Sequence, residues 1–346
     1  MVGNKVRLVV LSAIGWLTTA NIGCDNATPI EPYTPDSAPP LTDAIPYEGL
    51  GHGTLVFHRT GPEGNSWGGV YVIDIDQQSS WGMGGPFYRS VVSPDGQQIA
   101  YTAYAGWEAG TAWDVHVMNI DGTDAQNVSN LEYQDRFPSW TPDGLKILFW
   151  VAGGNTDRIY IQSPVVNPTD RVVVSDTSVF LSLSGRVSAS STGGIAFVGQ
   201  LGDSLLGLFT VDMDGNDAKL LVPSLSDFVS LESPAFSPDG QTIAYLSVTR
   251  DSAWSYQSIE LLLIGTDGTN LTSVALVDAD GQREWHNPGQ RNAVSVCWSP
   301  DGSKLLFNRP EGDLVAHIYV INSDGSGLTR VTSAEGITDR SVSWSN

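Results

Sequence analysis

The chain has 346 residues, with 38 acidic and 17 basic side chains and a formal net charge of −21. This charge argues against nucleic acid as a partner, because phosphate binding needs a basic surface. With 28 Asp against 10 Glu, 37 Gly and 19 Pro, the composition favours turns over helices and excludes a helical bundle or a coiled coil. At 41% hydrophobic residues, the chain is also not a disordered one, and it is long enough for a sizeable core.

The first segment of the chain is typical of an export signal. Two basic residues precede an apolar run over residues 8–20, which is too short to span a bilayer but suits a signal peptide. The run leads to Gly23-Cys24, and a small residue before the first cysteine resembles a bacterial lipobox. That resemblance implies cleavage before Cys24 and lipidation of this residue. Because Asn21 stands where the lipobox usually has leucine, ordinary cleavage near Ala20 is the alternative.

A Pro-rich segment follows the predicted signal peptide of residues 1–23. Six prolines between residues 25 and 48 favour polyproline II, and such a stretch lacks a packing face. We therefore expect residues 24–50 to be a tether that holds a globular domain, residues 51–346, away from a membrane. The second cysteine, Cys297, lies in an apolar stretch and is expected in the core.

Two turn motifs alternate along the rest of the chain. The first is Ser/Thr-Pro-Asp-Gly, which begins at Ser93, Thr141, Ser237 and Ser299, with a degenerate copy at Ser191. The second is a four-residue pattern ending in Asp-Gly, which ends at Gly122, Gly215, Gly268 and Gly325. Pro presets φ, Asp binds its own backbone and Gly takes positive φ, so each motif predicts a tight turn between two strands. The first motif recurs at spacings of 48, 50, 46 and 62 residues, which with four strands per repeat indicates β-propeller blades.

The two ends of this region supply parts of a single repeat. Val342–Trp344 matches Val296–Trp298, but the strand that should come next is found near the N-terminus, where Thr54–Phe57 matches Thr242–Tyr245. We therefore predict an all-β fold: a six-bladed β-propeller of four-stranded blades. Its last blade takes the inner strand from residues 340–345 and the other three from the N-terminal side, beginning with residues 54–58. Closing the ring in this way removes exposed sheet edges.

The two motifs, read in this order, resemble the repeats of the TolB family propeller over roughly residues 51–346. The resemblance implies the six-bladed fold and a non-catalytic role in protein interaction at the bacterial cell envelope. TolB proteins also carry an α/β domain ahead of the propeller. The stretch before residue 50 is too short to hold one, so we expect no such domain here.

Three sequence patterns resemble catalytic or metal-binding motifs, but the residues around each of them do not fit the motif. Gly64–Gly68 has the spacing of a Gly-x-Ser-x-Gly nucleophile elbow, but no helix pattern follows it. Asp212–Asp217 begins like a calcium loop, but Pro223 stands where the closing Glu should be. The five histidines form no pair with the spacing of metal ligands. We therefore expect no catalytic residue, no metal and no cofactor.

The connections between strands differ at the two ends of the predicted ring. Both Asp-Gly turns lie at one end, which we call the turn end, so the longer connections lie at the opposite, loop end. Six of the ten Trp outside the signal peptide are assigned to these loops: Trp67, Trp81, Trp107, Trp113, Trp254 and Trp285. Exposed Trp suits protein contacts or stacking on sugars, whereas gap filling between blades is the alternative.

Basic residues recur three or four residues before the end of the predicted inner strands, which line the central channel. They are Arg89, Arg136, Arg186 and Arg340, with Arg291 slightly further out. In the remaining blade Glu232 takes this position. A ring of arginines at the loop-end mouth of the channel suits a carboxylate from a peptide or an acidic sugar. Structural ion pairs of Arg136 and Arg340 with Asp135 and Asp339, or with an acid of a neighbouring blade, are the alternative.

These observations predict an exported protein, either periplasmic or an outer-membrane lipoprotein, that touches a membrane only through its N-terminal lipid. The expected partner is an envelope protein or peptide bound at the loop end and channel mouth. The first alternative is a propeller that binds an acidic or neutral glycan, which the loop Trp residues favour. The second is an enzyme that acts on acidic polysaccharide.

Overall fold

The computed structural model describes the chain from residue 38 onward, with short internal gaps. The described ranges are 38–61, 68–85, 87–104, 113–131, 134–152, 157–174, 180–201, 206–224, 226–250, 256–278, 294–312 and 315–346. Within them the fold is all-β, with 24 strands and one four-residue helix, α1 (Tyr47–Leu50). None of the helical structure in these ranges is long and apolar enough to cross a bilayer. The predicted signal peptide, Cys24 and the first part of the predicted tether lie outside the described residues.

The strands follow one another at short intervals along the chain. In order they are β1 (Thr54–Thr60), β2 (Gly69–Asp74), β3 (Ser79–Gly84), β4 (Tyr88–Val92), β5 (Gln98–Ala103), β6 (Asp114–Asn119), β7 (Gln126–Asn127), β8 (Gln134–Trp140), β9 (Ile147–Ala152), β10 (Arg158–Gln162), β11 (Val172–Val173), β12 (Phe180–Ala189), β13 (Gly194–Leu201), β14 (Leu206–Asp212), β15 (Lys219–Pro223), β16 (Val229–Phe236), β17 (Thr242–Arg250), β18 (Tyr256–Gly265), β19 (Thr272–Asp278), β20 (Val296–Trp298), β21 (Lys304–Gly312), β22 (Val315–Asn322), β23 (Thr329–Arg330) and β24 (Thr338–Ser345).

The strands form a propeller-like ring of antiparallel sheets. Four separate sheets each contain four consecutive strands, β4–β7, β8–β11, β12–β15 and β16–β19. The other eight strands form one sheet in the order β20-β21-β22-β24-β1-β2-β3, with β23 paired to β22. The prediction of six separate four-stranded sheets therefore differs from the observed pairing. The reason is one parallel pair, Ala316 opposite Thr338, which joins the sheet of β20–β23 to that of β24 and β1–β3.

The sheet that contains both ends of the described chain follows the predicted arrangement. β24 pairs antiparallel with β1, so that Thr54 lies opposite Ser345 and Thr60 opposite Thr338. β1 then pairs with β2, and β2 pairs with β3. The prediction that residues 54–58 pair with residues 340–345 is confirmed.

The first strand of each four-strand unit lies innermost. These strands, β4, β8, β12, β16, β20 and β24, each contact the next, and β24 contacts β4. Serine hydroxyls join them, because they accept hydrogen bonds from backbone N–H groups of the neighbouring unit. Ser343 accepts from Val92 N at 3.0 Å, and Ser188 accepts from Phe236 N at 3.1 Å. The inner strands are thereby held together around a central channel.

The first turn motif forms the tight turn that its residues predict. In the turn that begins at Ser299, the carboxylate of Asp301 accepts hydrogen bonds from the Ser299 hydroxyl at 2.6 Å and from Ser303 N at 3.0 Å. Gly302 has a φ of +72°, a region that glycine enters without strain. In the degenerate copy the turn begins at Ser190 rather than Ser191, because Ser190 N donates to Gly194 O at 2.7 Å.

Residues 38–50 pack against the sheet that joins the chain ends. Leu50 is fully buried, and Leu41 and Ile45 pack on the same apolar cluster, which includes Ile318 and Val342. The Tyr71 hydroxyl donates to Pro39 O at 2.9 Å. The expectation that the Pro-rich segment lacks a packing face does not hold here, because apolar side chains alternate with its prolines.

Candidate binding site in the central channel

The inner strands are kinked near their loop-end start. β-Bulges interrupt the register of five of them against the second strand of the same blade. A residue with positive φ lies at each bulge: Arg89 (55°), Phe137 (57°), Gly185 (82°), Ser233 (53°) and Ser341 (55°). Bulges re-aim side chains and are frequent beside functional sites, and four of these residues are not glycine. The kinks therefore mark this level of the channel as the candidate site.

A small cavity of about 20 Å³, with room for about one water molecule, lies at this level between the inner strands. Five inner strands, or the residue just before the strand, contribute the residue four positions before the Ser or Thr that begins the turn: Arg89, Phe137, Arg186, Ser233 and Ser295. The sixth, β24, contributes Ser341, four positions before Ser345. Glu232 lines the cavity as well. The structure thus brings together Arg89, Arg186 and Glu232, three of the residues singled out from the sequence.

Arg89 stacks on an aromatic ring within this cavity. Its Cζ lies 3.4 Å from the centroid of the Phe137 ring, a close cation–π contact. Its Nη1 is buried and has no hydrogen-bond partner among the described residues. Burial, with the charges of Arg136 and Arg186, lowers the pKa of Arg89 to about 9.

Like Arg89, Arg186 has a buried guanidinium nitrogen without a hydrogen-bond partner among the described residues. Its Nη1 donates to Val342 O at 2.9 Å, whereas Nη2 is buried without a partner in the described part of the chain. Burial lowers the pKa of Arg186 to about 10, and burial raises the pKa of the nearby Cys297 thiol to about 12. Arg186 also lines a second, more open cavity of about 330 Å³ toward the turn end, so it contributes to both spaces.

Glu232 is the acidic member of the cavity lining. Its Oε1 accepts hydrogen bonds from Arg250 at 3.1 Å and from Ser230 at 2.9 Å. Its Oε2 is buried and unpartnered within the described ranges. Burial raises the pKa of this carboxyl, which the Arg250 charge opposes.

Arg136 and Arg340 lie one residue earlier in their strands and do not line the cavity. Successive side chains in a strand point to opposite faces. Arg136 and Arg340 therefore have different neighbours from Phe137 and Ser341, the residues that follow them and line the cavity. The Arg136 Cζ lies 5.3 Å from the Trp113 ring centroid, and its guanidinium donates to Gln134. Arg340 lies beside His58, whose pKa falls to about 3 through burial and the Arg340 charge.

The predicted alternative, ion pairs with Asp135 and Asp339, does not occur in the described residues. Asp339 binds Arg59 instead, at 2.7 Å and 2.9 Å. Asp135 is buried, and burial raises its pKa to about 7. Over the described ranges, none of the four channel arginines, Arg89, Arg136, Arg186 or Arg340, has a carboxylate within 4.0 Å.

The tryptophans assigned to the loop end divide into three groups. Trp113 lies directly before β6 and packs edge-on against Tyr88 and Tyr104, with ring centroids 5.0 and 5.3 Å away. The assignment of Trp81 to a loop is wrong, because it lies in β3 opposite Val72 and its indole donates to Ile120 O at 3.3 Å. Outside the described residues lie Trp67, Trp107, Trp254, Trp285 and Arg291.

Sequence reasoning missed the contribution of Phe137, Ser295 and Ser341 to the cavity. The signal that could have found them is their position in the repeat: Phe137 and Ser295 lie four residues before Thr141 and Ser299, and Ser341 lies four before the matching Ser345. A second structural role also went unnoticed. The inner-strand Trp140 and Trp298 donate from Nε1 to Val91 O and Ala235 O of the preceding blade, at 3.3 and 3.0 Å.

The described residues contain no group of three or more His, Cys, Asp or Glu side chains that could hold a metal ion. His58, His116 and His317 are buried in three different strands.

Comparison with known proteins gives a partial sequence match and a full-ring structural match. No family model matches the chain. The "Tol-Pal system protein TolB" of Anaeromyxobacter dehalogenans strain 2CP-C is 34% identical over 140 residues, which is 40% of this chain and 26% of that protein. The chain therefore spans about a quarter of the length of the curated relatives it matches. The crystal structure of TolB from Acinetobacter baumannii superposes with a TM-score of 0.65 at 16% identity, over 85% of this chain and 66% of that one.

The ring is TolB-like. A second solved structure agrees, since a putative TolB from Agrobacterium tumefaciens gives a TM-score of 0.54 at 14% identity over 86% of this chain and all of that one. The resemblance read from the turn motifs is thereby confirmed, and it concerns the propeller.

Proposed function

We propose that this chain is a non-catalytic protein-interaction propeller of the bacterial cell envelope, which binds its partner at the loop end and channel mouth. The observation that carries the proposal is the set of four channel arginines without a carboxylate partner among the described residues. Interfaces are enriched in Arg and in aromatic residues, and Arg136 beside Trp113 and Tyr88 supplies both at the loop end.

The relatives support the class of partner. The sequence matches are Tol-Pal system proteins, so an envelope protein or peptide is the partner we propose for this chain. The N-terminal segment, with its apolar run and Cys24, supports export and lipid anchoring.

We also infer that the ring has six blades. The eight-stranded sheet is held across its middle by the single parallel pair of Ala316 and Thr338, whereas each half is an ordinary four-stranded meander. The six innermost strands, which contact one another in a closed circuit, support the same count.

The test is a pull-down from a detergent-solubilised native envelope with the full chain as bait. Arg136→Ala and Trp113→Ala each remove a half-buried side chain at the channel mouth, and we expect loss of the proteins that wild type retains. Lys219→Ala is the matched control, because Lys219 lies at the turn end, where its ammonium binds the backbone of Asp267. An unchanged set of captured proteins in both mouth variants would contradict the proposed binding site.

A further inference from the structure

We propose that the turn end of the channel is a second binding site, which takes an aromatic ring that carries a positive charge on a short chain. The site is the more open of the two channel cavities, of about 330 Å³, which we call the turn-end cavity. Small-molecule sites usually measure about 300–1,000 Å³, so its volume is sufficient for such a ligand. This inference goes beyond the proposed function, because the proposed partner binds at the opposite, loop end.

Small side chains on the inner strands account for the space in the turn-end cavity. Two positions before the Ser or Thr of each turn, or before the matching Ser345, all six inner strands place a residue no larger than valine in the lining: Val91, Ser139, Ser188, Ala235, Cys297 and Ser343. The cavity is therefore a consequence of the repeat and not of a single poorly packed residue.

The wall of the turn-end cavity is suited to a flat apolar ring. The indoles of Trp140, Trp298 and Trp344 are part of it, and each is fixed by donation from Nε1 to a backbone carbonyl, at 3.3, 3.0 and 3.0 Å. Four turn prolines complete the wall: Pro94, Pro142, Pro238 and Pro300. Since a cavity of about 150 Å³ holds benzene, the turn-end cavity has room for one ring and a short chain.

Arg186 favours an aromatic ring over an aliphatic one. Among the lining residues of the inner strands it lies furthest from the turns, four residues before Ser190. Its guanidinium is held by donation to Val342 O at 2.9 Å, and a pKa of about 10 keeps it charged at neutral pH. A guanidinium is attracted to the face of an aromatic ring, whereas a saturated ring offers it only apolar contact.

The rim of the turn-end cavity favours a positive charge at the outer end of the ligand. Each carboxylate of the rim accepts hydrogen bonds within its own turn, and these lower its pKa, so that it is ionised at neutral pH. Carboxylates of one sign around a cleft concentrate cations there. The residues concerned are exposed and directly follow the four lining prolines: Asp95, Asp143, Asp239 and Asp301.

The turns that carry these carboxylates lie side by side. A Cβ at Gly302 would lie 3.6 Å from Pro238 Cδ of the preceding blade, and a Cβ at Gly144 would lie 3.6 Å from Pro94 Cδ. The lysines of the same turns have other partners, since Lys146 pairs with Asp170 and Lys304 donates to Asn322. The negative charge of the rim is therefore available to a ligand.

Three small probes test the ring and the charge separately. They are 2-phenylethylamine, its saturated analogue 2-cyclohexylethylamine, and the anion 3-phenylpropionate. Their binding to the full chain is followed by saturation-transfer NMR and isothermal calorimetry at constant ionic strength. We expect saturable binding of 2-phenylethylamine, and binding weaker by about threefold or more for each of the other two, the usual effect of one exposed cation–π contact or ion pair. Binding that does not saturate, or equal affinity for all three probes, would overturn the proposal.

Two variants test whether the probes bind in the turn-end cavity. Ala235→Leu adds bulk to the lining and should abolish saturable binding of 2-phenylethylamine. If this variant folds poorly, the double variant Asp239→Asn/Asp301→Asn keeps the oxygens that accept the turn hydrogen bonds but removes two charges from the rim. It should weaken 2-phenylethylamine binding by about threefold or more.

Asp324→Asn is the matched control, because Asp324 accepts the same kind of turn hydrogen bond, from Ser326, in a turn that does not line the cavity. We expect it to leave 2-phenylethylamine binding at the wild-type level. Unchanged affinity in the double variant, or an equal loss in Asp324→Asn, would overturn the proposal.

The ring and the charge can come from a free aromatic amine or from a peptide, and a blocked tripeptide of lysine, tryptophan and lysine distinguishes the two sources. Displacement of 2-phenylethylamine by the tripeptide would assign the site to a polypeptide. Binding of 2-phenylethylamine without such displacement would assign it to a small amine. If neither probe binds, the turn-end cavity does not recognise this chemistry and the proposal is wrong.

Discussion

The guanidinium of Arg59 donates two hydrogen bonds to the carboxylate of Asp339, from Nε at 2.7 Å and from Nη2 at 2.9 Å. Arg59 lies on β1 and Asp339 on β24, so one ion pair connects strands that are 280 residues apart. The third nitrogen, Nη1, lies 2.6 Å from Asp43, and both carboxylate side chains are fully buried. This network therefore ties residues before β1, β1 itself and β24 into one unit.

Arg59→Ala should destabilise the protein strongly. Removal of one partner leaves two buried carboxylates without their cation, and breaking a buried pair costs about 3–5 kcal/mol in the free energy of unfolding. Urea unfolding followed by tryptophan fluorescence measures the change. Lys146→Ala is the control, because the Lys146–Asp170 pair spans 3.5 Å at an exposed site and should cost less than about 1 kcal/mol. Equal losses in the two variants would contradict the role of Arg59.

Gly96→Ala should cost more stability than Gly144→Ala. The two glycines occupy equivalent turns and have φ values of +71° and +69°, so the backbone strain of an added Cβ, about 1 kcal/mol, is common to both. At Gly96 the new Cβ would also lie 2.8 Å from Asn346 O, whereas at Gly144 its nearest neighbour is Pro94 Cδ at 3.6 Å. Comparison of the two melting temperatures isolates the contact between the first turn and Asn346. A larger loss in Gly144→Ala would contradict it.

The arrangement of strands was largely predictable from the sequence because turn chemistry is local. Ser299, Asp301 and Gly302 form their turn through contacts within five residues, and the same contacts recur in the turns that begin at Ser93, Thr141 and Ser237. The pairing of β24 with β1 was predictable because the two segments complete each other's repeat. In contrast, the merging of two blades through Ala316 and Thr338 depends on tertiary contact and leaves no sequence signal.

The candidate site was predictable only in part. The sequence indicated a ring of arginines, but it did not separate Arg89 and Arg186, which line the cavity, from Arg136 and Arg340, which lie one residue earlier. The alternation of side chains along a strand decides this, and a β-bulge shifts that alternation by one residue. The position of each bulge is a backbone property, so the facing residues became evident only in the structure.

His58→Gln should reduce the pH dependence of stability in mild acid. Burial and the Arg340 charge lower the pKa of His58 to about 3, whereas in the unfolded chain it is about 6.5. Between these values the unfolded state binds a proton that the folded state does not, so stability falls as pH falls. Urea midpoints from pH 7 to pH 4 should decline less steeply in the variant than in wild type. The exposed His52→Gln serves as the control, and a wild-type slope in His58→Gln would contradict the prediction.

Asp301→Asn should reduce the loss of stability in stronger acid. The Ser299 hydroxyl, with further hydrogen bonds from Ser303, lowers the pKa of Asp301 to about 2. A carboxyl whose folded pKa lies below the unfolded value of about 3.9 stabilises the fold above pH 4, and this contribution disappears as the pH falls toward 2. Unfolding midpoints measured between pH 4.5 and pH 2.5 should therefore fall less in the variant. A decline equal to that of wild type would show that this turn does not contribute to acid denaturation.

Site-specific photocrosslinking in living cells tests most directly whether the loop end is the binding surface. A photoreactive phenylalanine analogue replaces Trp113 beside the channel mouth or, as the turn-end control, Leu145, whose side chain is 68% exposed. We expect the probe at position 113 to crosslink an envelope protein and the probe at position 145 to give only background. Crosslinks confined to position 145, or none above background at position 113, would contradict binding at the loop end.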